Sequence, residues 1–441
     1  MLKHGFVPNQ FRFGFMIPII KDNQGNPSDV SNYRGITISP IISKIFEHIL
    51  KSTFHEHLST SVHQYGFKKK SSTAHALFCL KETVSYYIDN GSWVHCTFLD
   101  ASKTFDRLVH SGLFIKLIEK KVPKIFLDII MTRHEGLYCR VKWDDCYSQW
   151  FNISAGVRQG GVLSPELYCL YVDDLLRLLQ SLGVGCYVKG RFAAALFYAD
   201  DMAVLSPSMK GLQKLLDARA IYCSEWDIKL NSKKSKNMVF GYRTNPSFCA
   251  KLGNDTLPWE SSCVYLGMTL KSGPTFSCCV KETLGKFYRA LNTILRIDGR
   301  SDDMVMLRLL EAHCLPILTY GIEILHVTDS DDKRHMRVAY NSIYRKMFGY
   351  SYRESVTLLQ HSLGRKTWEE YVEERVGSFN TRLHRCPRHS TVFAFIWRLY
   401  SCNREMMNWN QFGLSLIWLR HIYWLIDWLI DCCTVLMFAL W

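Results

Sequence analysis

Two adjacent aspartates, Asp200 and Asp201, stand between the apolar runs Phe192 to Phe197 and Met202 to Leu205. A strand sends alternate side chains to opposite faces, so neighbouring carboxylates can approach one point only at a tight turn. The spacing predicts a hairpin with two oxygen ligands at its tip, the donor type that hard divalent cations bind. Upstream, Trp93 to Leu99 reads as a strand that ends in a third carboxylate, Asp100. Three carboxylates at the ends of neighbouring strands make a two-metal site for phosphoryl transfer.

The chain holds five Asp-Asp pairs, at 144–145, 173–174, 200–201, 302–303 and 331–332, so a pair alone says little. Most such pairs are solvated loop or cap residues. Tyr171-Val172-Asp173-Asp174 copies the hairpin tetrad Tyr198-Ala199-Asp200-Asp201, yet it follows Ser164-Pro165-Glu166, a helix-start signal. Leucines at 167, 170, 175 and 176 roughly keep helical spacing around it, which predicts a helix face.

Asp100, a glycine-rich element and the aspartate hairpin follow one another in the order of a polymerase palm, and the surrounding motifs make the likeness specific. Asn32-Tyr33-Arg34-Gly35-Ile36, Gln64-Tyr65-Gly66-Phe67 with Ser71-Ser72-Thr73, Phe98 to Arg107, Gly156 to Pro165 and Phe197 to Asp201 occur in sequence. Asn231-Ser232-Lys233-Lys234-Ser235, Tyr265-Leu266-Gly267 and Leu315 to Glu323 follow. Together they resemble the reverse transcriptases of non-LTR (LINE-type) retrotransposons from about Phe15 to Gly267, and more weakly to about Arg385. Gly35 stands where that family more commonly has proline.

The resemblance implies roles for individual residues. Asp100 and Asp200, with Asp201, would hold two Mg2+ ions, Mn2+ being a possible substitute, and Lys234 would protonate the leaving pyrophosphate, with Lys233 as its neighbouring alternative. Lys21, at the end of Met16-Ile17-Pro18-Ile19-Ile20, and Arg34 would meet the triphosphate, one as a point charge and one as a planar fork. Pro18 restricts that strand, because proline is tolerated near a strand's start or on a sheet edge. Phe105, five residues after Asp100, would lie beneath the incoming sugar and exclude a 2'-hydroxyl. Gln159 and Gly160 would touch nucleotide and template. The implied partners are an RNA template, a DNA primer and dNTPs, with no membrane.

A net charge of +14 and a pI near 9.0 over 441 residues fit a polyanion partner, and Lys68-Lys69-Lys70 and Lys233, Lys234 and Lys236 are candidate phosphate contacts. Short lysine runs are equally well explained as solvated charge. Sixteen cysteines without a Cys-x-x-Cys suggest reduced, buried thiols. His384, Cys386, His389 and Cys402 fit no zinc spacing. No signal peptide opens the chain, so a cytoplasmic or nuclear location is expected. Residues 412–441 are apolar and tryptophan-rich, but Arg420, Asp427 and Asp431 divide them into runs below the roughly 18 residues a bilayer span needs.

The expected fold is α+β: a right-hand polymerase with partial fingers (1–85), an antiparallel-sheet palm (86–270), a helical thumb and downstream connection (271–400), and an apolar tail (401–441). Leu212, Leu215, Leu216, Ala220, Cys223 and Trp226 predict an amphipathic helix behind the palm sheet. Leu284 to Leu295 and Met304 to Leu310 predict thumb helices, the second capped by Ser301-Asp302-Asp303. The chain starts just before the lysine-bearing strand and carries no endonuclease, so a fragment of an element's product is expected. Two other functions stand beside RNA-directed DNA polymerase. One is a silent nucleic-acid-binding remnant; the other, an RNA-dependent RNA polymerase, is disfavoured by Phe105 and by Tyr198-Ala199 ahead of the carboxylates.

Overall fold

The structure is a computed structural model. It describes residues 1–386 except 3–4, 6, 24, 102–103, 242–248, 298–301 and 326–329, together with Val392 and Phe395. His389, Cys402, Ser301 and the apolar tail 401–441 lie outside the described residues.

From the N-terminus, strands β1 (Phe13–Ile20) and β2 (Tyr33–Ile38) precede helices α1 (Ile41–Thr53) and α2 (Thr73–Asp89) and strand β3 (Val94–Leu99). Helices α3 (Thr104–Arg107), α4 (His110–Glu119) and α5 (Lys124–His134) lead to β4 (Leu137–Trp143), β5 (Cys146–Tyr147) and β6 (Phe151–Ile153). Next come α6 (Ser164–Ser181), β7 (Tyr187–Val188), β8 (Arg191–Phe192), β9 (Ala195–Tyr198), β10 (Asp201–Ser206) and α7 (Met209–Glu225). Strands β11 (Lys236–Phe240), β12 (Lys251–Leu252), β13 (Asp255–Thr256), β14 (Ser262–Tyr265), β15 (Met268–Lys271) and β16 (Ser277–Cys278) follow. Helices α8 (Val280–Ile297), α9 (Asp303–Thr319), α10 (Ile322–Leu325), α11 (Ser330–Phe348), α12 (Thr357–Ser362) and α13 (Trp368–His384) end the described chain.

The central sheet has the order β11-β3-β10-β9, and every pairing in it is antiparallel. All six residues of β3 are buried, as a strand flanked on both edges and covered on both faces requires. Helix α7 packs on β10 and β3, α6 packs on α7, and α2 lies against β9 and β3. Leu212, Leu215, Leu216 and Cys223 of α7 are buried, which matches the predicted stripe. Arg219, the residue at the i+3 and i+7 positions of that stripe, is buried with them.

The second sheet joins β2, β1, β4 and β5, with β6 also on β4. Pro18 pairs with Gly35 inside β1, the sheet-edge setting of the two that were expected. It is tolerated because β4 pairs only with Phe13 to Met16, which leaves the stretch around Pro18 bonded on one side. A Cβ on Gly35 would stand 2.6 Å from Met16 Sδ, so a larger residue there would have to displace that flexible side chain.

Glu47 of α1 ties α1 to α5 and to the start of α6. Its buried carboxylate pairs with Arg133 of α5 and accepts the backbone N–H groups of Val162 and, at 2.9 Å, Leu163 at the start of α6. A carboxylate at a helix N-terminus satisfies orphan donors and meets the positive end of the dipole. The helices after the sheets share one apolar core that includes Phe287, Leu291, Leu310, Leu318 and Tyr344. Asp302 caps α9, accepting from the backbone of Met304 at 2.8 Å. Described residues Asp303–Ile324 form a stretch long and apolar enough to cross a membrane, but Leu307, Leu310, Cys314 and Leu318 within it belong to this core.

Candidate active site

The predicted hairpin is present. Tyr198 pairs with Asp201, which leaves Ala199 and Asp200 as a two-residue turn. Ala199 holds φ +58, the first-position geometry of a type II' turn, where glycine is usual. An alanine there costs about 1 kcal/mol, and the Gln64 block offsets it. Gln64 Oε1 accepts from the backbone of Ala199 at 3.0 Å and of Gly66 at 2.9 Å. A Cβ on Gly66 would sit 2.6 Å from Ala199 N, so only glycine admits this approach. Tyr65 N donates to Phe197 O at 2.7 Å and Phe197 N to His63 O at 3.0 Å, which lays the 63–66 segment along the edge of β9.

Asp100 follows β3 directly. Met202 is opposite Leu99, so Asp201 lies one register step further on, opposite Asp100, and opposed residues point to the same face. The loop after α7 fixes the Asp100 backbone. Asp100 N donates to Ser235 Oγ at 3.2 Å, and Asn231 N donates to Asp100 O at 3.0 Å. Lys233 and Lys234 are exposed on this same loop, with Lys234 N donating to Asn231 Oδ1 at 3.3 Å.

Burial and, after it, neighbouring charge set the electrostatics of Asp200 and Asp201. Burial, then Asp200 and Asp100, pushes the Asp201 carboxyl up to about 6. Burial also raises Asp200; its own backbone hydrogen bond opposes the shift, Asp100 adds to it and Arg34 counters it. Like charges crowded into a partly desolvated space disfavour ionisation, and a divalent cation would relieve exactly that repulsion, so the donor set fits a hard metal. Among the described residues, no three His, Cys, Asp or Glu side chains are gathered closely enough to hold an ion by themselves.

Arg34 is opposite Ile19 in the β1–β2 pair, and Lys21 lies two residues beyond Ile19, so both cations share one face of the ribbon. Arg34 acts on Asp200, whereas Lys21 Nζ donates to Ser31 O at 2.9 Å. Gln159 Nε2 donates to Asp106 Oδ1 at 2.9 Å, and Gln159 O accepts from Thr37 N at 2.6 Å. Gly160 holds φ +108 with space for no Cβ, since one would meet Thr37 O at 2.7 Å. Phe105 stacks on Tyr168 of α6 at 4.8 Å and meets the edge of Phe67 at 6.2 Å, while its carbonyl accepts from Val157 N at 2.7 Å.

The look-alike pair goes elsewhere. Asp173 and Asp174 lie on α6, where Asp173 pairs with Lys120 at 3.5 Å and accepts Ser61 N at 2.6 Å, and Asp174 pairs with Lys116 at 2.8 Å. Two of the candidate phosphate contacts are also committed internally. Lys68 Nζ is turned inward to Ser61 O at 2.7 Å and Thr60 O at 3.0 Å, and Lys236 pairs with Glu260 at 2.7 Å.

The sequence profile of the reverse transcriptase (RNA-dependent DNA polymerase) family matches residues 20–270, more than half of the chain. The chain belongs to the reverse transcriptase family. It is 27% identical over 409 residues to a probable RNA-directed DNA polymerase from transposon BS of Drosophila melanogaster, covering 89% of this chain and 44% of that protein. It is 24% identical over 362 residues to the RNA-directed DNA polymerase from mobile element jockey of the same fly, covering 79% and 39%. The chain thus spans under half the length of these relatives, and they place it with the non-LTR, LINE-type reverse transcriptases. Apo telomerase from Candida tropicalis aligns over 92% of this chain and 69% of its own, at 12% identity and TM-score 0.47.

In this reverse transcriptase the central sheet is the palm, and the sequence did not show the part that two residues packed against it play. Arg219 is fully buried on α7, and none of its three guanidinium nitrogens has a hydrogen-bond partner. Burial lowers its pKa, and Cys223, Tyr168 and Asp100 oppose the shift, so Asp100 feels a buried cation on α7. A charged residue on an otherwise apolar stripe was the signal. Gln64 could be found only as part of a motif, because its partner Ala199 lies 135 residues away.

Proposed function

We propose that this chain is the RNA-directed DNA polymerase of a non-LTR retrotransposon, adding deoxynucleotides to a primer 3'-hydroxyl. The observation that carries this reading is the convergence of Asp100 with the Asp200–Asp201 turn, opposite the cation Arg34. When bound there, two Mg2+ ions would activate the primer hydroxyl and neutralise the triphosphate and leaving group. Asp100, Asp200 and Asp201 would hold them, sharing the coordination shell with phosphates and water as Mg2+ does in such sites.

The chain's own residues would orient the substrates. Arg34 grips the triphosphate on the fingers face, and Lys21 joins it by exchanging the Ser31 carbonyl for phosphate. Lys234, exposed on the loop that holds the Asp100 backbone, would give a proton to the departing pyrophosphate. Phe105, backed by Tyr168, offers a rigid ring to the sugar. Gln159 is held by Asp106 at one end and Thr37 at the other, a fixed edge for nucleotide and template.

Primer extension on an RNA template with Mg2+ and dNTPs is the test. Incorporation by wild type that is lost in Asp200→Ala supports the reading. Salt-sensitive RNA binding without any extension would instead favour a silent remnant.

A further inference from the structure

A second cationic site lies away from the carboxylates, at the junction of α2, α10 and α13. A cavity of about 740 Å3 there is lined by Lys70, Thr73, Tyr320, Arg375, Arg382 and Arg385. Glu323 is its one lining carboxylate, shared by Arg375 at 3.6 Å and Arg382 at 4.0 Å. Four cations against one carboxylate leave the cavity strongly positive. Helix α2 opens into it without a side-chain cap, because Ser72 Oγ is engaged by His75 Nδ1 at 2.9 Å; His75 N turns back to Ser72 O at 3.0 Å, and the helix start keeps its positive dipole end toward the cavity.

A second polar group points the same way. His75 lines the cavity, is only 2% exposed, and its Nε2 has no hydrogen-bond partner. Burial and Arg382 hold its pKa down to about 4, so the ring stays neutral at physiological pH. Lys70 holds φ +64, a conformation costly for a side-chain-bearing residue and one that collects at functional sites. The Tyr320 hydroxyl, 2.6 Å from Leu266 O and 3.1 Å from Thr73 Oγ1, joins the wall to the turn between β14 and β15.

We propose that this cavity is a binding site for the phosphodiester backbone of a nucleic-acid strand, separate from the nucleotide site. Arg375 and Arg382 are seven residues apart on α13, about 10.5 Å along its axis, and Arg385 extends the row. Such a row spans more than one phosphate of a strand, whereas a mononucleotide's phosphates would engage one end of it. Guanidinium, hydroxyl and helix-start donors dominate the lining, which suits backbone contact and carries no base readout. Helix α13 lies downstream of the matched residues 20–270, so the site joins the family domain to the segment after it. The identity of the polyanion as nucleic acid rests on the polymerase reading; the anion site itself does not.

The experiment uses the whole chain and reads binding without dNTPs or metal. Anisotropy of a labelled single-stranded RNA is followed from 50 to 300 mM salt for wild type and for Lys70→Glu/Arg385→Glu, with tripolyphosphate as competitor. That pair leaves the Glu323 ion pairs intact, and Arg382→Gln, which keeps Arg375 on Glu323, provides a second variant that avoids charge reversal. Loss of two phosphate contacts should flatten the slope of log Kd against log salt by roughly 1.4 and weaken binding about tenfold, with melting temperatures unchanged. Wild-type slopes and affinities in both variants would overturn the site. Displacement of the strand by tripolyphosphate at concentrations far below those of matched salt would assign the cavity to a small polyphosphate and overturn the strand assignment. A changed slope in a chain that extends no primer would sink the polymerase reading and leave this site standing; active extension with unchanged slopes would do the reverse.

Discussion

Gln64 Oε1 stands 3.0 Å from the backbone nitrogen of Ala199 and accepts its hydrogen bond. One side chain thereby holds the strained residue that turns Asp200 and Asp201 toward Asp100. Gln64→Ala should cost about 1–3 kcal/mol, because the Ala199 and Gly66 N–H groups would be left buried and unpaired. Primer extension should fall by more than that loss of stability explains at a temperature where both proteins are folded. Chemical denaturation alongside single-turnover extension checks both; unchanged extension in a folded variant would remove Gln64 from the site's support.

Asp200→Ala should lower extension by at least about 10³-fold, a loss of roughly 4 kcal/mol of barrier lowering, while nucleic-acid affinity stays close to wild type. Asp174→Asn, on the look-alike pair, removes the carboxylate partner of the buried Lys116 and should lower the melting temperature, but it should leave the extension rate of the folded protein within about twofold, since the pair takes no part in the hairpin site. Comparable losses in the two variants would refute the assignment of chemistry to the hairpin.

The Asp201 carboxyl is raised to about 6 by burial and by Asp200 and Asp100. A raised carboxyl favours the folded state at low pH, and that contribution disappears as pH climbs through the folded value. Asp201→Asn should therefore melt above wild type at pH 8 without metal, and the advantage should shrink as pH falls from 6 toward 4. Mg2+ should raise the melting temperature of wild type more than that of the variant. A pH-independent difference would show that the carboxylate repulsion is absent.

Phe105→Val removes a ring that rests on Tyr168 at 4.8 Å. It should cost about 1–3 kcal/mol of stability. It should also raise the ratio of rNTP to dNTP incorporation, because the clash with a 2'-hydroxyl is relieved. Equal falls in the use of both nucleotides, with the ratio unchanged, would make Phe105 a packing residue only.

Arg219→Met replaces a buried guanidinium without hydrogen-bond partners by an apolar chain of similar length. The variant should melt at or above wild type, since burying an uncompensated charge costs several kcal/mol, and it should extend primers more slowly because Asp100 loses the buried cation on α7. Arg219→Lys should recover part of the rate. Full activity in Arg219→Met would mark the charge as a passenger.

Local chemistry was legible in the sequence and distant pairing was not. The hairpin could be read because two apolar runs around Ala199-Asp200 admit little else, and α6 because Ser164-Pro165-Glu166 starts a helix whatever lies around it. Periodicity predicted α7, yet the same pattern could not say that Arg219 would be buried, since a charge on a stripe usually marks its edge. Lys68 counted as a surface cation until the fold placed the Thr60 and Ser61 carbonyls around its amine. Lys21 likewise has its amine on the Ser31 carbonyl, a contact made by the turn between β1 and β2.

Arg158 reaches back to the N-terminal segment, donating to Phe11 O at 3.0 Å and to Arg12 O, while Val7 and Phe11 are buried in the core that contains Tyr168. The residues that recognise a family and the residues that make a foldable unit are therefore different sets in this chain. A polypeptide trimmed to the matched span 20–270 would strip acceptors from a buried guanidinium one residue before Gln159 and take two apolar side chains from the core that contains Val157 and Tyr168. Truncation at that homology boundary should release the Gln159 loop from a distance, with every catalytic motif still in place.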